Sequence, residues 1–313
     1  MSAAPGRSQA SSHRSPQGEG TPMSAAPGRS QASSHRSPQG EGPAVNAPAR
    51  PLQAWIDGIG FIAPGLPDWP SARAVLRGEQ AFVPAPSLLP APALLPPAER
   101  RRASRVVKLS LGLGLEAVAQ AGADASLLAT VFAASGADGH NCHALCAQLA
   151  SDDRQISPTR FHNSVHNVAA GYWGIATRSM APCQVIGAFD ASFGAGLLDA
   201  LAQVAVDSRQ VLLIAYDSEY PQPLHDKRDT PDCAGVALLL ARSRGAASLA
   251  RIELTPTGQA PDALTDPGME DLRLRVPALR ALPLLERLAR GLGGTVVLEC
   301  LPPMQLALDV QPC

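Results

Sequence analysis

A short apolar strand, Gln184 to Ala188, runs into a tight turn, and an amphipathic helix opens at Asp190. A strand that turns sharply into a helix suits a nucleophile. The helix N-terminus offers unpaired N–H groups and a partial positive charge, which lower a thiol pKa and bind an oxyanion. Here the first helical position is Asp190, a residue fitted to cap the helix and to face its positive end. A carboxylate held ionised as a cap is not free to act as a nucleophile, so no catalytic residue is assigned. Phe189 either fills space that a substrate would need or packs in the core. Ser192 lies in Asp190-Ala-Ser-Phe-Gly194, one substitution from a G-x-S-x-G nucleophile elbow. Its base would have to be His162, His166 or His225, and no spacing selects among them. In His140-Asn-Cys142-His143-Ala-Leu-Cys146 the two cysteines stand at i, i+4 and His143 at i, i+3 from Cys146. No second Cys/His pair occurs at zinc-like spacing, and the haem pattern C-x-x-C-H is missing. Cysteines buried on a helix's core face account for the cluster, and no metal or cofactor is expected.

The elements around the turn follow from periodicity. After Pro51 the chain reads as a strand (Ala54 to Ile59), a short helix (Pro70 to Arg77), a Pro-rich loop (Val83 to Pro97), a long helix (Glu99 to Ala121) and a strand (Ala129 to Ala134). A helix (His140 to Ala150) and a polar loop follow. The loop carries Phe161, His162, Asn163, His166 and Asn167, side chains able to hold it by their own hydrogen bonds. Beyond the Val185 strand come a helix (Gly194 to Val206), the Val211 strand and a strand at Leu249 to Leu254. A helix (Val276 to Leu292) and two strands (Thr295 to Glu299, Met304 to Val310) complete the chain. Strands apolar on both faces, alternating with helices, predict an α/β fold with a mixed sheet covered by helices on both faces.

MSAAPGRSQASSHRSPQGEG occurs at Met1 to Gly20 and again at Met23 to Gly42. A unit so rich in Pro, Gly and Ser, with no apolar face, cannot offset the entropy of ordering, so residues 1–50 are expected to be a disordered leader. They lack the apolar stretch of a signal peptide. The chain has 313 residues and a net charge of −1, which gives no support to nucleic acid or acidic membrane as a partner. Six cysteines without a framework predict reduced thiols in a cytoplasm. No uninterrupted apolar run approaches the roughly 18 to 20 residues of a membrane span.

Several motifs in register resemble the N-terminal half of a β-ketoacyl synthase. They are Trp55-Ile-Asp-Gly-Ile-Gly-Phe-Ile-Ala-Pro-Gly65, Arg100 to Arg102 with the helix behind, Val131-Phe-Ala-Ala-Ser-Gly136, Asn167-Val-Ala-Ala-Gly171, Ala181-Pro182-Cys183, Val211 to Ala215, and Cys233 to Arg242. In active members the turn reads roughly T-A-C-S-S, which sets Asp190 on the cysteine. The resemblance covers about Pro51 to Arg244 and is greatest to the short chain-length-factor-like proteins of aryl-polyene (xanthomonadin-type) clusters. It implies half of a thiolase-like fold over residues 51–245, with residues 246–313 as a strand-helix-strand extension packed on the same domain. The family's second half supplies two histidines in H-G-T and N-x-x-F-G-x-x-H motifs. Neither motif is present, and His225 is the only histidine after Asp190. The resemblance thus implies a non-condensing partner in a heterodimer with a complete ketosynthase, receiving chains from an acyl carrier protein. Phe161, His162, Asn163, His166, Asn167, Val185 and Phe189 would then face the partner and its acyl pocket. The alternatives are a stand-alone acyl hydrolase using Ser192, or a scaffold that binds an acyl carrier protein.

Overall fold

The computed structural model describes residues 52–207 and 209–313. The repeat leader, and the disorder expected of it, lie outside the described residues.

The first strand, β1 (Leu52–Ile62), carries a glycine pair that settles how the main helix lies on the sheet. A Cβ at Gly58 would stand 2.1 Å from the Ala117 carbonyl oxygen, and one at Gly60 would stand 2.0 Å from that of Leu113. Only glycines let α3 (Arg105–Ala121) approach the strand so closely. Helix α1 (Trp69–Leu76) follows β1, capped by Asp68, and α2 (Pro97–Arg102) precedes α3. Then come β2 (Ala129–Ala133), α4 (Gly139–Ala150), α5 (Pro158–Asn163), α6 (Val168–Thr177) and β3 (Cys183–Ile186). Helix α7 (Ser192–Asp207) leads to β4 (Val211–Asp217) and β5 (Ala234–Ala241). The C-terminal part contributes β6 (Ala250–Thr257), α8 (Pro267–Arg275), α9 (Leu282–Arg290), β7 (Gly294–Leu298) and β8 (Gln305–Pro312).

All eight strands form one mixed sheet in the order β3-β2-β4-β5-β1-β6-β8-β7. β3, β2 and β4 run parallel, and the remaining pairings are antiparallel. Alternate residues of β4 point to opposite cores. Val211, Leu213 and Ala215 join the core under α1, α7, α8 and α9, while Leu212, Ile214 and Tyr216 join the core under α3 and α6. Both faces are therefore covered, as the apolar-on-both-faces strands predict. The C-terminal strands extend this same sheet beyond β1.

Several boundaries differ from the sequence reading. The long helix expected from Glu99 breaks at Ala103, which takes an extended conformation between α2 and α3. The polar loop holds two helices, α5 and α6. Helix α8 was not expected, and the Val276 helix is a 3-10 turn (Pro277–Ala281) followed by α9. Phe189–Asp207 is long and apolar enough to cross a membrane, which uninterrupted run length did not reveal. Half of its most apolar window is buried, and α7 packs on β1, β2 and β4, so its hydrophobicity belongs to the core.

Candidate functional site

The turn after β3 is built around a strained residue. Phe189 has φ of +53°, in the left-handed region, and opens a 3-10 turn (Phe189–Ala191) leading into α7. Left-handed backbone at a bulky non-glycine residue stores strain and clusters at functional positions. The expected Asp190 cap is not formed, and the turn has no side-chain capping bond. Ser192 Oγ accepts from Ala188 N at 3.0 Å and donates to the Phe189 carbonyl at 2.7 Å. Asp190 caps nothing; its Oδ1 accepts from Arg228 Nη1 at 2.7 Å. The reason is direction: the turn carries Asp190 to the guanidinium, while the buried Ser192 hydroxyl lies against the turn's own backbone. With both bonds made to that backbone, Ser192 has no histidine partner, and the hydrolase elbow lacks its base.

Phe189 is 62% exposed, so it does not pack in the core. Its ring lies under Arg228, whose Cζ stands 3.9 Å from the ring centroid. Arg228 thus covers Phe189 and neutralises Asp190 together, with Nη2 buried and unpartnered. Behind it, Asp217 at the end of β4 accepts from Ser135 N at 2.9 Å, Ser135 Oγ at 2.5 Å and Ala278 N at 2.8 Å. Complete burial raises the Asp217 pKa to about 6, against the lowering effect of those bonds and of Arg228. Sequence reasoning missed Arg228 and Asp217, which no local motif marks.

The polar segment splits into separate roles. Asn163 is buried and donates Nδ2 to the Arg102 carbonyl at 2.8 Å, tying α5 to α2. His162 meets Tyr172 edge to face at 5.9 Å, and His166 Nε2 lies 3.2 Å from the Ala134 carbonyl oxygen. Asn167 stands exposed at the start of α6, without a side-chain capping bond. Phe161 is 61% exposed. Of the five side chains singled out, Asn163 and His166 therefore hold the segment by hydrogen bonds, helped by Ser164 Oγ, which donates to the Phe161 carbonyl at 2.8 Å.

Beside these helices lies β3, an edge strand. Thr130 N donates to the Pro182 carbonyl and Ala134 N to that of Ile186. Alternation along the strand then turns the N–H and C=O groups of Cys183 and Val185 away from β2. Met180, Ile175, Val165, Phe161 and Phe189 are exposed near this edge in sequence. The opposite edge, β7, is occupied at Val297: Asp262 N donates to the Val297 carbonyl, and Val297 N donates to Asp262 Oδ2.

Glu219, Asp232 and Cys233 bring three potential metal-ligand atoms within 4.8 Å of one another. Arg105 already bridges Glu219 (3.0 Å) and Asp232, so a guanidinium supplies the positive charge there.

The model of the β-ketoacyl synthase N-terminal domain family matches residues 73–275, starting later than the sequence resemblance and running beyond its Arg244 limit. Among curated proteins none matches. A ketosynthase (ApeO) in complex with its chain length factor (ApeC), from Xenorhabdus doucetiae, is similar at 23% identity and TM-score 0.63, over 82% of this chain and 99% of that one. The ishigamide ketosynthase/chain length factor is similar at 12% identity and TM-score 0.60, over 83% and 99%. A type II polyketide synthase acyl-carrier protein in complex with its ketosynthase (AntDE:AntF) reaches TM-score 0.65 at 10% identity, over 84% and 100%. At these identities the likeness is one of fold, and the fold is thiolase-like.

Proposed function

The chain belongs to the β-ketoacyl synthase N-terminal domain family, and from that premise we propose that it is the non-condensing, chain-length-factor-like subunit of a complete ketosynthase. The pair would work in the cytoplasm on chains carried by an acyl carrier protein, in type II fatty-acid- or polyketide-like assembly of an aryl polyene pigment. The observation that carries this reading is the nucleophile turn itself. It keeps its strained backbone and its helix, yet places Asp190 in an ion pair with Arg228 where a thiolate would be needed. Condensation needs a thiolate that carries the chain as an acyl thioester, with histidines beside it. This turn supplies neither.

The open β3 edge supports a protein partner. Unpaired strand groups flanked by apolar side chains recruit another chain, and an obligate interface of that kind usually exceeds about 2,000 Å². In this reading Val185 joins the partner's strand, Phe161 and Phe189 border the pocket where the chain grows, and His162, Asn163, His166 and Asn167 shape the adjoining wall.

Co-expression with a ketosynthase encoded nearby, followed by size-exclusion chromatography, is the test. The two chains should co-elute. Val185→Pro removes one outward N–H without touching the β2 ladder, and should abolish co-elution while circular dichroism stays that of the parent. Intact-mass measurement after incubation with a reactive acyl donor should find this chain unmodified. A well-folded monomer that ignores every such ketosynthase, or stable acylation of Ser192, would sink the proposal.

A further inference from the structure

Helix α4 does not bury its cysteines. Cys142 and Cys146 are both exposed, against the expectation that they line a core face. With His143 they border one cavity of about 230 Å³, whose other wall is formed by Tyr220 and Leu224. The glycine that starts α4 makes room for that wall, since a Cβ at Gly139 would stand 2.4 Å from Tyr220 Cδ1. The two thiols stand one helical turn apart on α4. His143 has no hydrogen-bond or ion-pair partner among the described residues. The nearby Asp138 carboxylate is spent on Asn141, accepting from N at 3.0 Å and from Nδ2 at 2.7 Å.

We propose that Cys142 and Cys146 bind one monovalent copper ion, with His143 as a third ligand. Ligand chemistry decides the ion. Two soft sulfurs and one imidazole select Cu(I), which accepts low coordination numbers, whereas a structural Zn²⁺ site asks for four ligands. On binding, two S–H bonds give way to two S–Cu bonds, both protons pass to solvent, and no electron is transferred. The imidazole enters neutral, through a turn of its exposed side chain towards the sulfurs. Cys183 and Cys313 are also exposed, but neither has a second cysteine within four residues. They serve as internal controls.

The test titrates the full chain, anaerobically and reduced, into Cu⁺ held by the coloured chelator bicinchoninate. One equivalent of colour should be lost. Cys142→Ser and Cys146→Ser should each weaken copper binding by at least about a hundredfold, because even outer partners of a metal site contribute roughly 10–100-fold. His143→Ala should weaken it less while keeping the stoichiometry. The double variant Cys183→Ser/Cys313→Ser should bind as the parent does. All these side chains are exposed, so melting temperatures should stay level across the set. Failure of the full chain to take copper, full uptake by Cys142→Ser/Cys146→Ser, or loss in the Cys183/Cys313 variant would each overturn the site. An unchanged affinity in His143→Ala would remove the third ligand.

Discussion

Asp190 and Arg228 meet across 38 residues of sequence at 2.7 Å, and the strength of that pair is set by water. The carboxylate side chain is 43% exposed and the guanidinium 18%. An ion pair half in solvent stabilises by less than about 1 kcal/mol, and the stack on Phe189 adds about 0.5 to 1 kcal/mol. Asp190→Asn should therefore lower unfolding free energy by no more than about 1 kcal/mol in denaturant titration, with complex formation and product unchanged. Loss of product at unchanged stability would instead give Asp190 a chemical role. The residue type at position 190 is plain in the sequence, and with it the missing nucleophile. What it binds is not. A capping preference is local, and Arg228 arrives from a loop whose approach only the assembled sheet determines.

At the level of elements, the strands were legible because their alternation and apolar runs are intrinsic, as was α1, while α5 and α8 were missed for lack of an amphipathic stripe. Their caps were nonetheless written out. Ser157-Pro158 opens α5, with Ser157 Oγ accepting from Arg160 N, and Asp266-Pro267 opens α8, with Asp266 accepting from Gly268 N and Met269 N. Asp217 joins three elements, holding the β2 exit through Ser135 and the turn before α9 through Ala278. Its folded pKa of about 6 lies above the ordinary carboxylate value of about 3.9, so the folded state binds this proton more tightly than the unfolded one. The resulting stabilisation is full below about pH 4, is lost as pH rises to about 6, and amounts to the order of 3 kcal/mol. Asp217→Asn cannot titrate and faces the Ala278 N–H with an amide that also donates, at a cost of about 1 to 3 kcal/mol. Melting curves of parent and variant between pH 4 and 6.5 should converge as pH rises. Parallel curves would clear Asp217 of this role.

On the scale of the whole molecule, composition makes its own prediction. Met1 to Gly42 is a Pro-, Gly- and Ser-rich repeat with no apolar face, so deleting it should leave the melting temperature and partner binding unchanged. A large fall in melting temperature would assign it buried surface. The sheet's overall order was less legible than its strands. Nothing in the run Leu249 to Val310 announces that its strands continue the first sheet past β1, because antiparallel partners are chosen by register and burial across long separations. The two ends of that sheet differ in what they permit. Asp262 occupies the free side of β7 at Val297, whereas β3 leaves Cys183 and Val185 without a neighbour beyond β2. A strand added at β7 would have to displace Asp262 from Val297, which a strand added at β3 need not do.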